Sequence, residues 1–144
     1  MMTVHSLLHS KESAVWSVAP DTMVIDALKL LAEKNIGALM VVRDGALLGI
    51  FSERDYARKI VLRGESSRTT AVKDVMSTHV VSVRQDQSIA DVMNLMTNNR
   101  IRHLPVMEEQ KLIGIISIGD VVKAIISDQA ETIKHLENYI SGAR

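Results

Sequence analysis

Apolar positions fall along this chain in two rhythms, one suited to helices and one to strands, and the order in which they alternate is written twice. Val15 to Val18 reads as a short strand. Asp21-Thr22 offers side-chain caps for a helix whose apolar face, Ile25, Leu28, Leu31 and Ala32, recurs at helical spacing and stops near Asn35-Ile36-Gly37. Ala38 to Val42 and Ala46 to Phe51 are partly β-branched runs separated by Arg43-Asp44-Gly45, and Asp-Gly between such runs predicts a tight hairpin turn. Glu53 to Leu62 reads as a helix. The order then returns: a strand Val80 to Val83, a helix from Ser88 to about Asn99, a hairpin Leu104 to Ile116 around Glu108-Glu109-Gln110, and a helix from Asp120.

Sliding the chain against itself by 65 positions aligns Val15–Ile60 with Val80–Ile125 without a gap. Ser17/Ser82, Asp26/Asp91, Leu39/Leu104, Gly49/Gly114, Ser52/Ser117 and Asp55/Asp120 are among the identical pairs. The fold class is therefore α/β (α+β), two tandem β-α-β-β-α repeats with two small sheets flanked by helices. Residues 1–66 form the first repeat, 67–130 the second and 131–144 a C-terminal helical tail. Arg63 to Thr70 is a polar crossing loop, and Val72 to Met76 predicts a short helical turn leading into the second repeat. Val4, Leu7 and Leu8 fit the equivalent turn before the first. Beyond Ile126, Ile133, Leu136 and Ile140 keep helical spacing, either as a longer last helix or a separate one, with an apolar stripe that wants a partner.

Composition narrows the function classes. The 144 residues suit one compact domain, or two half-size units sharing a core. Seventeen basic residues balance seventeen acidic ones, so no global field selects nucleic acid or an anionic membrane, and neither is expected as a partner. The absence of cysteine excludes a disulfide framework, a thiolate metal site and a cysteine nucleophile. With no secretory signal pattern and no apolar run approaching membrane-spanning length, the expected location is cytoplasmic. Eight methionines and only a few aromatics leave the core to aliphatic packing, with Met93 and Met96 at core spacing.

The strongest local signal is Gly49-Ile50-Phe51-Ser52-Glu53-Arg54-Asp55, matched by Gly114-Ile115-Ile116-Ser117-Ile118-Gly119-Asp120, each where a strand becomes a helix. A serine hydroxyl and free amides at a helix start can hold phosphate oxygens, and an Asp one turn along can accept both ribose hydroxyls. The same residues also make an ordinary helix cap. Gly-x-x-Ser-x-x-Asp, in this order of elements over nearly the whole chain, resembles the cystathionine-β-synthase (CBS) family, and the chain is similar to a stand-alone CBS pair, or Bateman module. The resemblance implies pseudo-twofold symmetry, two clefts shared between the repeats, and an adenine nucleotide (AMP, ATP or NAD(H)) as regulatory ligand.

Carried over residue by residue, the resemblance places Asp55 and Asp120 at ribose, and Ser52, Arg54, Arg100, Arg102, His103 and Ser117 at phosphate. Ile50, Val81 and Ile101 would flank adenine in one cleft, and Trp16, Ile36, Ala38 and Ile115 in the other. Gly37, Ala38 and Gly119 stand where the Asp55 cleft has Arg102, His103 and Arg54, so the Asp120 cleft is expected to lack cationic side chains and to be weaker, empty or suited to a less charged ligand. Arg100 and Arg102 could instead satisfy the carbonyls of the helix they follow. Arg54, Arg58, Lys59 and Arg63 read as a solvated face or an extension of the phosphate site.

Catalysis finds little in the sequence. His5 and His9 alone among five histidines approach metal-ligand spacing, no metal is expected, and no nucleophile elbow, Walker loop or dinucleotide glycine motif occurs. The expected function is a non-catalytic nucleotide sensor, passing its output to a separate effector protein because the chain ends shortly after its second repeat. The resemblance implies dimers packed through the helices after each third strand, and the apolar faces around Val61-Leu62 and Val122 to Ile126 fit that homodimer. The alternatives are a constitutive dimeric scaffold without a physiological ligand and a small nucleotide-using enzyme.

Overall fold

The computed structural model describes residues 2–10 and 15–142; Lys11 to Ala14 of the first repeat and Ala143 and Arg144 of the tail lie outside the described residues. Helix α1 (Val4–Ser10) precedes β1 (Ser17–Val18), α2 (Val24–Lys34), β2 (Ala38–Arg43), β3 (Ala46–Ser52) and a helical turn α3 (Glu53–Asp55) that widens into π-type turns over Tyr56–Val61. A 3₁₀ turn at Val72–Asp74 leads to α4 (Ile89–Asn99), β4 (His103–Glu108), β5 (Lys111–Ser117) and α5 (Ile118–Ile140). The tail is thus a direct continuation of the last helix. No helix among the described residues is long and apolar enough to cross a membrane.

Both hairpins form where the sequence places them, the first with the turn its Asp-Gly pair predicts. Arg43 pairs with Ala46 across Asp44-Gly45, both at positive φ, which is what a two-residue turn matching strand twist demands. The second loop is Glu109-Gln110, between paired Glu108 and Lys111, and there Glu109 takes the positive φ. The outer strands are shorter than expected. Val15 to Val18 contributes only Ser17 and Val18, parallel to β2. Val80 to Val83 contributes a single parallel bridge from Val83 to Val106, because only Val83 exchanges backbone hydrogen bonds with β4, to Pro105 and from Met107.

The helices differ from the sequence reading in frame and in caps. On α2 the buried residues are Val24, Ala27 and Leu31, with Leu28 half-buried and Ala32 exposed; the stripe begins one residue earlier than Ile25 because the helix starts at Val24. Asp21 and Thr22 do not cap it with their side chains. The first-turn amides of Val24 and Ile25 donate instead to the carbonyls of Thr70 and Ser67, so the crossing loop closes this helix end. Helix α4 has its own Ser88 hydroxyl, which accepts from the Asp91 amide. Met96 is buried while Met93 is exposed, since α4 turns Ile89, Val92 and Met96 inward.

Two apolar clusters form the core, and each borrows from the other half of the sequence. Val24, Leu31, Leu39, Val41 and Phe51 pack with Val72 and Val75, from the segment leading into the second repeat. Val92, Leu104, Val106, Ile116 and Val121 pack with Val4 and Leu7 of α1. Backbone bonds follow the same exchange: Val72 donates to Thr22, and Val4 donates to Gln87. The motif glycines accommodate these visitors. A Cβ on Gly49 would lie 2.7 Å from the Ser77 carbonyl oxygen, and one on Gly114 would lie 2.8 Å from Leu8 Cδ2.

Gly49→Ala must therefore move backbone, whereas Gly114→Ala must move only the end of a leucine. Urea denaturation should show Gly49→Ala losing about 1–3 kcal/mol and Gly114→Ala losing less than about 1 kcal/mol. Equal losses would contradict the difference in what each methyl meets. A second outcome concerns Asp21, whose carboxylate accepts from Lys73 Nζ and Arg43 Nη2, each at 2.8 Å. The Lys73 hydrogen bond and charge, with Arg43 adding to them, hold its pKa below the ordinary 3.8. The stability it contributes is present above that ordinary value and is lost as pH falls through the lowered one. Lys73→Ala should move the Asp21 titration upward in a carboxylate-detected NMR experiment.

Candidate functional site

The two serines of the repeated motif each end a strand and cap the helix that follows. Ser52 Oγ accepts from the Asp55 amide at 3.2 Å, and the Ser52 amide donates to Asp55 Oδ2 at 2.9 Å; Ser117 and Asp120 repeat this at 3.1 and 2.9 Å. These reciprocal capping boxes fix both side chains at a strand-to-helix corner. They also use up donors expected for phosphate. Of the amides of Ser52, Glu53, Arg54 and Asp55, three are spent inside the protein, Glu53 donating to the Gly37 carbonyl. The Ser52 hydroxyl itself donates to Asp55 Oδ2 at 3.0 Å. An anion here must rely chiefly on side chains.

Asp55 is only 7% exposed, the one buried charged residue among those described. While Oδ2 serves the cap, Oδ1 accepts from the Ser77 hydroxyl at 3.0 Å and lies 3.2 Å from Lys59 Nζ. Lys59 also donates to the Val75 carbonyl at 2.9 Å, and Ser77 exchanges two backbone hydrogen bonds with Ile50. A buried carboxylate is tolerable because every lone pair in reach has a donor. A ribose hydroxyl that uses Asp55 must displace one of its side-chain donors, Ser77 or Lys59 at Oδ1 or the Ser52 hydroxyl at Oδ2. Sequence reasoning missed Ser77, for which nothing in its local pattern speaks.

Around Asp55 opens a cavity of about 930 Å³. Ile50, Ser52, Arg54 and Asp55 reach it from the first repeat, and Val81, Arg100, Ile101, Arg102 and His103 from the second. All nine positions assigned to this cleft from the sequence are brought together. Arg58 and Lys59 join them, so five cations face the carboxylates of Glu53 and Asp55.

Arg100 carries a distinct signal. It ends α4 in the left-handed conformation at φ 53°, where the first repeat has Asn35, also at φ 53°. Asn visits that region readily, and an arginine does so at a cost of roughly 1 kcal/mol. Nor does its side chain cap the helix: the Ile101 amide donates to the Met96 carbonyl, and Arg54 Nη1 donates to the carbonyl of Arg100 at 3.3 Å. The first repeat thus closes a helix end of the second across the cleft.

Trp16, Ile36, Ala38, Ile115, Ser117 and Asp120 line the other cavity, of about 980 Å³. The expectation that it lacks cationic side chains is wrong. Lys34 and Lys123 line it, with Lys34 Nζ 4.2 Å from the centre of the Trp16 ring. Comparing motif positions alone could not show this, because Lys34 comes from the end of α2 and Lys123 from α5 at the repeat position of Arg58, while Asp128 and Glu131 enter from farther along the unbroken α5. Two lysines there face the carboxylates of Asp120, Asp128 and Glu131, so the charge contrast with the Asp55 cavity remains. Gly37, Ala38 and His103 line both cavities. A Cβ on Gly37 would lie 3.4 Å from His103 Cε1, which places the imidazole against the backbone dividing them. No group of three or more metal-binding side chains occurs among the described residues.

The strain at Arg100 makes a prediction with two signs. Arg100→Asn should stabilise the fold by about 0.5–1 kcal/mol in thermal or urea unfolding while removing a cation from the Asp55 cavity. A loss of stability would mean that the arginine side chain supports the fold.

Comparison with known proteins agrees with this architecture. The CBS domain profile matches residues 11–62 and 72–127. The mitochondrial CBS domain-containing protein CBSX3 of Arabidopsis thaliana is 41% identical over 150 residues, spanning 97% of this chain and 72% of that protein. The structure of a CBS-domain protein from Burkholderia ambifaria superposes with a TM-score of 0.86 at 48% identity, over 89% of this chain and 96% of the other. At 20% identity and a TM-score of 0.73, over 81% of this chain and 92% of the other, the CBS domain pair of protein MJ0100 shares the fold; it is in complex with 5-methylthioadenosine and S-adenosyl-L-methionine. Two profile matches, in register with the internal repeat and the two half-sites, establish that the chain belongs to the CBS domain family as a tandem pair.

Proposed function

We propose that this chain is a regulatory, non-catalytic adenine-nucleotide-binding module of the cytoplasm, taking AMP, ATP or NAD(H) in the Asp55 cleft and signalling to a separate effector protein. The observation that carries this reading is the gathering of five cations over a cavity whose floor is a buried Asp. Arg54, Arg100 and Arg102, with His103, would meet phosphate oxygens, and guanidinium groups suit that task by bidentate bonding. Ser52 would join them once its hydroxyl turns away from Asp55 Oδ2. Ile50, Val81 and Ile101 would flank the adenine and Asp55 would take the ribose. In the Asp120 cleft, Asp120 and Ser117 would play the corresponding parts, with Trp16, Ile36, Ala38 and Ile115 around the base, for a weaker or less charged ligand.

Binding would be transmitted through the donors it displaces. A ribose at Asp55 Oδ1 would release Ser77, Lys59 or both, and each of them also holds residues 75–77. Nucleotide would then favour a state in which that crossing segment is repositioned, by as much as its affinities for the two states differ. A homodimer through the exposed faces at Val61-Leu62 and Val122–Ile126 would present the change to an effector.

The satisfied state of Asp55 also favours a second reading, a scaffold in which the motif serves capping alone. Calorimetric titration with AMP, ATP and NAD(H) separates the two. Asp55→Asn should weaken nucleotide binding about 10- to 100-fold, and Ser77→Ala, which removes a competing donor, should strengthen it several-fold. Trp16, the only tryptophan, reports the other cleft by fluorescence and should respond only at higher ligand concentration. No binding of any of these nucleotides would favour the scaffold, and turnover of bound ligand would favour an enzyme.

A further inference from the structure

Helix α5 runs on well past the second repeat and carries an exposed apolar stripe: Val122, Ile126, Ile133, Leu136 and Ile140, each roughly half or more exposed. Their spacings, with Gln129 filling the gap, are four, three, four, three and four residues. That is the alternation of a coiled-coil seam, which buries its apolar positions only against another helix. The stripe needs a partner, and the charges along its flank say which kind. Lys123 and Glu137 each directly follow a seam residue, Val122 and Leu136, and so share one edge of it.

We infer that the stripe is a self-complementary surface on which α5 of a second copy lies antiparallel. In that register Ile126 packs against Leu136 of the second copy, Gln129 against its Ile133 and Val122 against its Ile140. Lys123, which also lines the Asp120 cavity, then has Glu137 of the second copy on its seam side, twice by symmetry, and the small Ala130 lies on the same edge near the twofold axis. A parallel pair would bring no opposite charges together along either edge, and it would align the two helix dipoles unfavourably. The seam rests on the homodimer reading above and specifies it: the interface extends beyond Val122–Ile126 along the whole exposed helix.

The native chain has no cysteine, so introduced thiols report geometry without interference. Sedimentation equilibrium should show a dimer for the wild type and at least tenfold weaker association for Ile133→Glu/Leu136→Glu. These positions are exposed, so the fold is expected to survive, checked by an unchanged unfolding midpoint of the β-sheet signal. Lys123→Glu should weaken association several-fold, and Lys123→Glu/Glu137→Lys should restore it. Under mild oxidation the double variant Ile126→Cys/Leu136→Cys should form covalent dimers, its two thiols being about 15 Å apart within one helix. Ile126→Cys alone should not. Covalent dimer from Ile126→Cys alone would overturn the antiparallel seam, as would undiminished association in the double glutamate variant, which would leave a homodimer by other faces standing. A monomeric wild type would overturn both the seam and the homodimer.

Discussion

Neither half of this chain can bury its own small sheet, and the structure rests on the way each half completes the other. A hairpin with a helix across it leaves apolar surface uncovered at one edge, and two- or three-stranded sheets are seldom stable alone. Here Val4 and Leu7 close the second core while Val72 and Val75 close the first. The exchange explains details that look unrelated along the sequence. Gly49 and Gly114 lack side chains because the visiting segments pass directly over them. The first turn of α2 needs no capping side chain because the crossing loop brings carbonyls to it. Ser77 reaches Asp55 because its segment is already held against β3.

The clefts are consequences of the same arrangement. Each is walled by the motif corner of one repeat and the approach to the hairpin of the other, so neither exists in an isolated repeat. Symmetry of backbone does not extend to chemistry. At one corner arginines surround a saturated carboxylate; at the other, lysines and carboxylates from α5 are interleaved around Trp16. The backbone between them, at Gly37, is touched by His103, which lines both cavities.

Much of this was legible in the sequence because it was stated twice. The gapless repeat placed both hairpins and both motif corners, the family resemblance implied which residues meet in each cleft, and Asp44-Gly45 specified its own turn. What sequence could not carry were relations between segments with no local pattern. The strands at residues 15–18 and 80–83 looked complete from composition, yet strand pairing depends on a neighbour, and Ser17, Val18 and Val83 are the paired residues, with the Trp16 carbonyl accepting from Met40. Asp21 has the chemistry of a cap but is drawn to Lys73 and Arg43. Lys34 and Lys123 escaped a comparison confined to motif positions, since one comes from the end of α2 and the other from the second turn of α5.

The inequality of the two clefts is the claim on which the functional reading stands. Its most direct test is a titration of ¹⁵N-labelled protein with AMP, following backbone amides from both corners in one experiment. Amides of Ser52 to Arg58, Ser77 to Val81 and Arg100 to His103 should shift and saturate first, before those of Trp16, Ala38 and Ser117 to Lys123 respond. Saturation of the Ser117 to Lys123 amides first, with Ser77 unmoved, would contradict it.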